Sequence, residues 1–270
     1  MQSNTRPNNR DDDVRTPDIR GAALVTGAAN RIGAAIAQEL AFSGYPVIVH
    51  FRDSAAHADA LIKSITKKGG KAAGIQANLA DRGQRAGLIN GASRHFGPLT
   101  TLVNNASIYE PDSIETLDEY LWDAHFAVHT EAPVFLGRDF AAQLPPTQEG
   151  NIVNIIDSRL NRLSPAYTSY TLSKAALWTA TRTMAQSLAP QIRVNAISPG
   201  PSLPEHGQSD TEFEQRVADL PLGRGASPQE IAVAVRFLLN APAVTGQMLA
   251  LDGGSHLEWP ARSNATPRRR

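Results

Sequence analysis

The chain has 270 residues, with 26 Lys plus Arg against 26 Asp plus Glu and no cysteine. That length suits one large α/β domain, and the balanced charge offers no overall field for nucleic acid or an anionic membrane surface. The lack of cysteine removes disulfides, thiolate nucleophiles and Cys-based metal sites, so no metal is expected and a reducing, cytoplasmic setting fits.

Residues 1–19 are polar, carry no apolar stretch of the kind a secretory signal needs, and read as a disordered tail, as does the basic end at 261–270. Residues 20–260 read as one domain. Within it, AALVT at 22–26 precedes a helical pattern from Arg31, and PVIVHF at 46–51 precedes another from Ser54. AAGIQ at 72–76 leads to a third helix, and LTTLVNN at 99–105 leads through a loop to a long helix over about 117–144. NIVNII at 151–156, a helix carrying Tyr170 and Lys174, IRVNAI at 192–197, two further helices and QMLAL at 247–251 complete the pattern. Apolar, Val/Ile/Leu-rich runs separated by helices predict a single-domain, doubly wound sheet of seven parallel strands with helices on both faces. No apolar run is long enough to span a bilayer. Ligands of such a sheet bind beyond the carboxyl ends of its strands, where Gly27, Asn105 and Asp157 fall.

TGAANRIG at 26–33 follows the first strand and opens the first helix. Gly27 permits the tight turn and Gly33 a close helix–sheet approach, leaving a helix N-terminus aimed at a pyrophosphate. The second strand ends HFRDS, with Phe51 where an NAD enzyme places its ribose-binding carboxylate. Arg52, Ser54 and Arg31 suit a 2′-phosphate instead, which favours NADP(H) over NAD(H). Asp53 opposes that phosphate unless it turns to solvent.

Tyr170 and Lys174, four apart, share one helix face, so the ammonium can stabilise the phenolate left when the tyrosine gives up a proton. Asp157 closes the preceding strand, thirteen residues before the tyrosine.

Together the Thr26-Gly27 turn with Gly33, NNAS at 104–107, Tyr170 with Lys174, NAISPGP at 195–201 and LDGG at 251–254 resemble the short-chain dehydrogenase/reductase family over nearly all of 21–257. By that resemblance the cofactor lies against Gly27, Arg31, Ile32 and Gly33, with Phe51, Arg52 and Ser54 at the adenosine ribose. Asn78 and Leu79 then flank the adenine, and Asn105, Ala106 and Ser107 support the nicotinamide side. The backbone at Pro199 and Gly200 meets the carboxamide. Tyr170 is the implied general acid, while Lys174 holds the nicotinamide ribose and lowers the tyrosine's pKa. The Asn that normally anchors a relay water falls at His129, or at Thr130 if the alignment slips by one. The family's paired helices imply a homotetramer, with Ala175, Leu177, Ala180 and Met184 on the contact face.

Two departures are informative: Asp157 replaces the family's Ser, and Arg31 replaces a turn glycine. Both resemble the pteridine reductase branch and the related bacterial dihydromonapterin reductases, in which an aromatic follows NNAS. Here it is Tyr109, implied to stack on a pterin opposite the nicotinamide, with Tyr167 as a further substrate-side tyrosine. Arg31, Ser107, Tyr109, Asp157, Tyr167 and Tyr170 are thus the implied substrate residues.

The aspartate makes chemical sense there. A ketone develops negative charge on oxygen and wants a neutral donor. An ionised carboxylate at ~4 Å and an effective dielectric near 20 costs roughly 4 kcal/mol, about three decades of rate. A pterin accepts hydride at a C=N bond, and its amino and ring N–H groups donate to a carboxylate. The sequence therefore predicts an NADPH-dependent reductase of a small-molecule pterin or folate-like substrate. The alternatives are a carbonyl reductase, to which a protonated Asp157 would still be of use, and a non-catalytic NADPH sensor, against which the intact Tyr170 and Lys174 argue. Residues 201–220, with their prolines and polar centre, read as a mobile lid over the substrate.

Overall fold

The computed structural model describes residues 20–204 and 207–257. The two expected tails, 1–19 and 261–270, lie outside the described residues. Seven parallel strands form one sheet in the order β3-β2-β1-β4-β5-β6-β7. They are β1 (Ala22–Val25), β2 (Val47–Phe51), β3 (Ala72–Gln76), β4 (Leu99–Asn104), β5 (Gly150–Ile155), β6 (Ile192–Pro199) and β7 (Met248–Leu251). The order reverses between β1 and β4, which opens the crevice at the carboxyl edge.

Alternate side chains of each strand enter opposite cores. Val25 and Val49 pack under α1 (Arg31–Phe42), α2 (Ala55–Lys67) and α9 (Pro228–Leu239), beside Ile36, Leu40 and Val235. Leu24, Leu102 and Ile152 pack on the other face with Leu136 and Phe140 of α6 (Ala132–Gln143), beside α7 (Thr168–Leu188). Burial on both faces is why the central strands β1, β2, β4, β5 and β6 are largely apolar. Among the described residues no helix is long and apolar enough to cross a membrane.

Two helices depart from the sequence pattern. The third helix in chain order is two pieces, α3 (Arg82–Ala86) and α4 (Leu88–Phe96), divided at Gly87. The side chain of Asp81 caps the first piece by accepting the N–H groups of Gly83 and Gln84. The expected long helix begins as α5 (Glu119–Phe126) and passes through a π-helical turn, Ala127–Glu131, into α6. Pro133 has no N–H for the carbonyl of His129 four residues back, so the α-helical ladder is interrupted there. The two further helices expected before β7 are α8 and α9; α8 (Asp210–Ala218) lies within residues 201–220, is started by a Ser209–Glu212 capping box and buries none of its side chains.

On α7, Leu177 differs from expectation. It is fully buried in the protomer's own core, whereas Ala175 and Ala180 are half-buried and Leu172 is exposed.

Candidate active site

The glycine turn is held from below. Thr26 Oγ accepts the N–H groups of Asn105 at 2.9 Å and Ala106 at 3.0 Å, and the Asn105 amide donates to the carbonyls of Thr26 and Gly27. Asn105 therefore spends its amide on the turn. Gly27 has φ +62, and a Cβ there would stand 2.8 Å from Ala106 Cα; at Gly33 it would stand 2.2 Å from the Gly27 carbonyl oxygen. Only glycine lets the turn and α1 approach β4 this closely.

His50, a buried residue of β2, was not anticipated. Its Nδ1 accepts the Gly27 N–H at 3.1 Å, which leaves the proton on Nε2, 3.1 Å from the Ala77 carbonyl. One imidazole thus ties the glycine turn to the strand end preceding Asn78. Burial pushes its pKa down to about 4, so the ring is neutral. The available signal was a lone polar residue within an otherwise apolar, doubly covered strand, VIVHF.

Arg31 and Tyr167 are the non-glycine residues with positive φ among the described residues, +53 and +64. Left-handed backbone is strained for such side chains and concentrates at functional sites. At Arg31 it accounts for the glycine that the resemblance expects there. The Arg31 guanidinium donates to the Pro204 carbonyl at 3.0 Å, tying the turn to the 201–220 segment. Arg52, at the end of β2, pairs with Asp53, and both are exposed.

At the other end, Asp157 follows β5 and starts a 3₁₀ turn, Ser158–Leu160. Its Oδ1 accepts the Arg159 N–H at 2.8 Å and its Oδ2 accepts the Tyr170 hydroxyl at 2.8 Å. Lys174 Nζ donates to the Ile155 carbonyl at 2.8 Å. Burial pushes Lys174 down to about 8, opposed by the Asp157 charge. Tyr170 is held well above its ordinary value, by burial first and then by the Asp157 charge. This corrects the expectation that Lys174 lowers the tyrosine's pKa: in this pocket the carboxylate touches the hydroxyl and keeps the proton on it.

The His129 and Thr130 alternatives separate. Thr130 Oγ donates to the Ser173 carbonyl on α7, whereas His129 faces Ser107, Ile108 and Ser173. His129 is neutral, its pKa pushed well below 6.5 by burial and then by the Lys174 and His125 charges.

One cavity of about 1350 Å³ joins the two ends, larger than the roughly 300–1,000 Å³ of a single small-ligand pocket. Gly27, Arg31, Ile32, Gly33, Phe51, Arg52, Ser54, Asn78 and Leu79 line it, followed by Asn105, Ala106, Ser107, Tyr109, Asp157, Tyr170, Lys174, Pro199 and Gly200. Tyr167 differs from expectation and does not line it. Its left-handed backbone turns the ring onto Tyr109, stacked at 4.5 Å, so it backs the tyrosine that faces the site. Tyr109 stands edge-on to Tyr170 at 4.9 Å, and the Arg159 guanidinium donates to its hydroxyl. Arg162 and Arg216 also line the substrate end.

A family model described as enoyl-(acyl carrier protein) reductase matches residues 27–256. The chain is similar to the alternative dihydrofolate reductase 1 of Brucella suis, solved in complex with NADP, with 48% identity, TM-score 0.86, and coverage of 89% of this chain and 97% of that one. It is 38% identical over 240 residues to an uncharacterized oxidoreductase of Methylorubrum extorquens, covering 86% of this chain and 96% of the relative. It is also 32% identical over 241 residues to a 3-oxoacyl-[acyl-carrier-protein] reductase of Staphylococcus aureus, covering 87% and 98%. With its seven-stranded parallel sheet, glycine turn and Tyr170/Lys174 pair, the chain belongs to the short-chain dehydrogenase/reductase family.

Proposed function

We propose that the protein is an NADPH-dependent pterin reductase acting on a dihydropterin or a dihydrofolate-like substrate. The observation that carries this reading is the Tyr170 hydroxyl donating to Asp157 Oδ2 at 2.8 Å, on the wall where substrate and cofactor meet. The 48% identity to a dihydrofolate reductase solved with NADP supports it.

The cofactor site fits NADP(H). Gly27 and Gly33 let the turn and the start of α1 pack closely against Ala106 and the turn's own backbone, which leaves the N-terminus of α1 for a pyrophosphate, and β2 ends on Phe51 followed by Arg52, with no carboxylate in the ribose-binding position. Arg52 and Ser54 would hold the 2′-phosphate, with Arg31 contributing from the turn, while Asn78 and Leu79 flank the adenine. Lys174 would hold the nicotinamide ribose. NADPH, when bound, supplies a hydride.

The protein's own residues supply orientation and a proton. The pterin amino and ring N–H groups donate to Asp157, which fixes the C=N bond beside Tyr170. As the carbon gains hydride, the neighbouring nitrogen takes a proton from Tyr170. A bare phenolate beside an ionised carboxylate is unfavourable, so once Tyr170 has given its proton to the ring nitrogen, one proton from solvent must return to the phenolate to restore the hydroxyl that donates to Asp157. Tyr109 covers the ring from the opposite side.

A second reading, carbonyl reduction, is favoured by the 32% identity to a 3-oxoacyl-[acyl-carrier-protein] reductase and by the intact Tyr170/Lys174 pair. NADPH oxidation measured side by side with dihydrobiopterin, dihydrofolate and an acetoacetyl thioester separates them. Turnover of a pterin or folate above that of the thioester is expected. The reverse order would establish the carbonyl reading, and tight NADPH binding without turnover would make the protein a sensor.

A further inference from the structure

Four buried side chains with no role in that mechanism form a ladder between the α5–π segment and α7. His125 and His129, one helical turn apart, stack ring on ring at 5.4 Å and 18°. Opposite them, Ser169 and Ser173 are also one turn apart. His125 Nδ1 lies 2.6 Å from Ser169 Oγ, and His129 Nδ1 lies 2.9 Å from Ser173 Oγ.

The far partners set the direction of every proton. The Ser169 hydroxyl donates to the Asp112 carboxylate, and the Ser173 hydroxyl donates to the Tyr170 carbonyl at 2.7 Å. Each serine therefore accepts from its imidazole, and both rings carry their proton on Nδ1. His129 Nε2 is left as an acceptor. It takes the Ile108 N–H at 3.1 Å and stands 3.0 Å from Ser107 Oγ.

The two rungs reach opposite ends of one segment. His129 holds Ser107 and Ile108. Through Ser169 the other rung holds Asp112, whose carboxylate also accepts the Ser169 N–H at 3.2 Å and whose carbonyl accepts the Tyr167 N–H at 2.6 Å. Residues 105–113 have no helix or strand of their own to hold them, and between the two anchors sits Tyr109. We infer that His129, backed by His125, is the positioning residue that fixes the 107–112 segment on the catalytic helix and so sets Tyr109 against the substrate. The inference rests on the pterin reading only for the identity of that substrate. An asparagine, with one short amide head, cannot reach Ile108 and Ser173 together as the two opposed nitrogens of an imidazole do.

The test contrasts two amides at this position. Asn reproduces the Nδ1 donor toward Ser173, whereas the longer Gln reproduces the Nε2 acceptor toward Ile108. Losing that one buried contact should raise the pterin KM of His129→Asn about five- to tenfold, with kcat and NADPH affinity moving less than about twofold. His129→Gln should stay near wild type. In the NADPH-bound protein, hydrogen exchange at residues 108–112 should speed up in the Asn variant and not in the Gln variant. Equal behaviour of the two variants would overturn the inference, as would faster exchange with an unchanged KM. If His129→Asn does not fold, Ser173→Ala, which removes the anchor of the same ring, must give the same KM rise. If the wild type reduces ketones and no pterin, the functional reading fails, while the exchange contrast and the KM for that ketone still decide the role of His129.

Discussion

Asp157 divides its carboxylate between two tasks: one oxygen holds the Arg159 N–H and the other accepts the Tyr170 hydroxyl at 2.8 Å. Serine can keep the first contact and stay neutral at the second. Asp157→Ser should therefore lower pterin reduction by about two decades or more, the scale of a positioned acid–base group, while activity on a simple activated ketone holds or rises. Tyr170→Phe should depress both reactions. Equal loss on the two substrates with Asp157→Ser would falsify the specific role given to the carboxylate and reduce it to a loop cap.

Arg52 is engaged by Asp53, but both are exposed, and such a pair is worth only about 0–1 kcal/mol. A 2′-phosphate can therefore take the guanidinium from it. Arg52→Asp should weaken NADPH relative to NADH by about 1.5–3 kcal/mol, one charge-assisted hydrogen bond. A change in the ratio of the two Michaelis constants under about threefold, less than 1 kcal/mol, would show that Arg52 does not read the phosphate.

His50 titrates with a folded pKa of about 4 against an ordinary 6.5. The unfolded chain takes up this proton first, so stability is full above pH 6.5 and is lost as pH falls toward 4. The slope from this group approaches roughly 1.4 kcal/mol per pH unit. His125 and His129 are shifted in the same direction, so the share of His50 is read by difference. His50→Gln, which can still serve Gly27 and Ala77, should flatten denaturation midpoints between pH 6 and 5 by up to that slope. An unchanged slope would mean that His50 is already charged in the folded protein.

The 201–220 segment is tied to the glycine turn by the Arg31–Pro204 contact, contributes Leu203, Arg216 and Leu220 to the cavity wall, and carries a helix with no buried side chain. Such a segment opens at low cost. Hydrogen exchange over its described residues should slow when NADPH and a pterin are both bound. Protection equal to that with NADPH alone would show a static wall.

Leu172 on α7 and Phe135 on α6 are exposed apolar side chains on neighbouring helices, and we propose that these helices carry a subunit contact. A tetramer mass by light scattering at micromolar protein is the expected result. A monomer mass would remove the assembly from the account.

The sheet, the glycine turn and the Tyr170–Lys174 pair were legible because they are local: strand-length apolar runs, a backbone that only glycine permits, and a spacing of four on one helix face. The partners of the buried polar groups were not. His50 reaches Gly27 across 23 positions, His125 reaches Ser169 across 44, and Ser169 reaches Asp112 across 57. Periodicity says which face a residue takes but not which side chain meets it, because strand order and helix crossing decide that. The same holds for Tyr170. Its sequence neighbourhood shows a lysine one turn away, which favours the phenolate, whereas the fold buries the ring and brings Asp157 onto its hydroxyl. Desolvation and a touching carboxylate raise the tyrosine's pKa, so the chain alone determined that Tyr170 and Lys174 share a helix face, and the tertiary structure decided that Asp157 meets the hydroxyl.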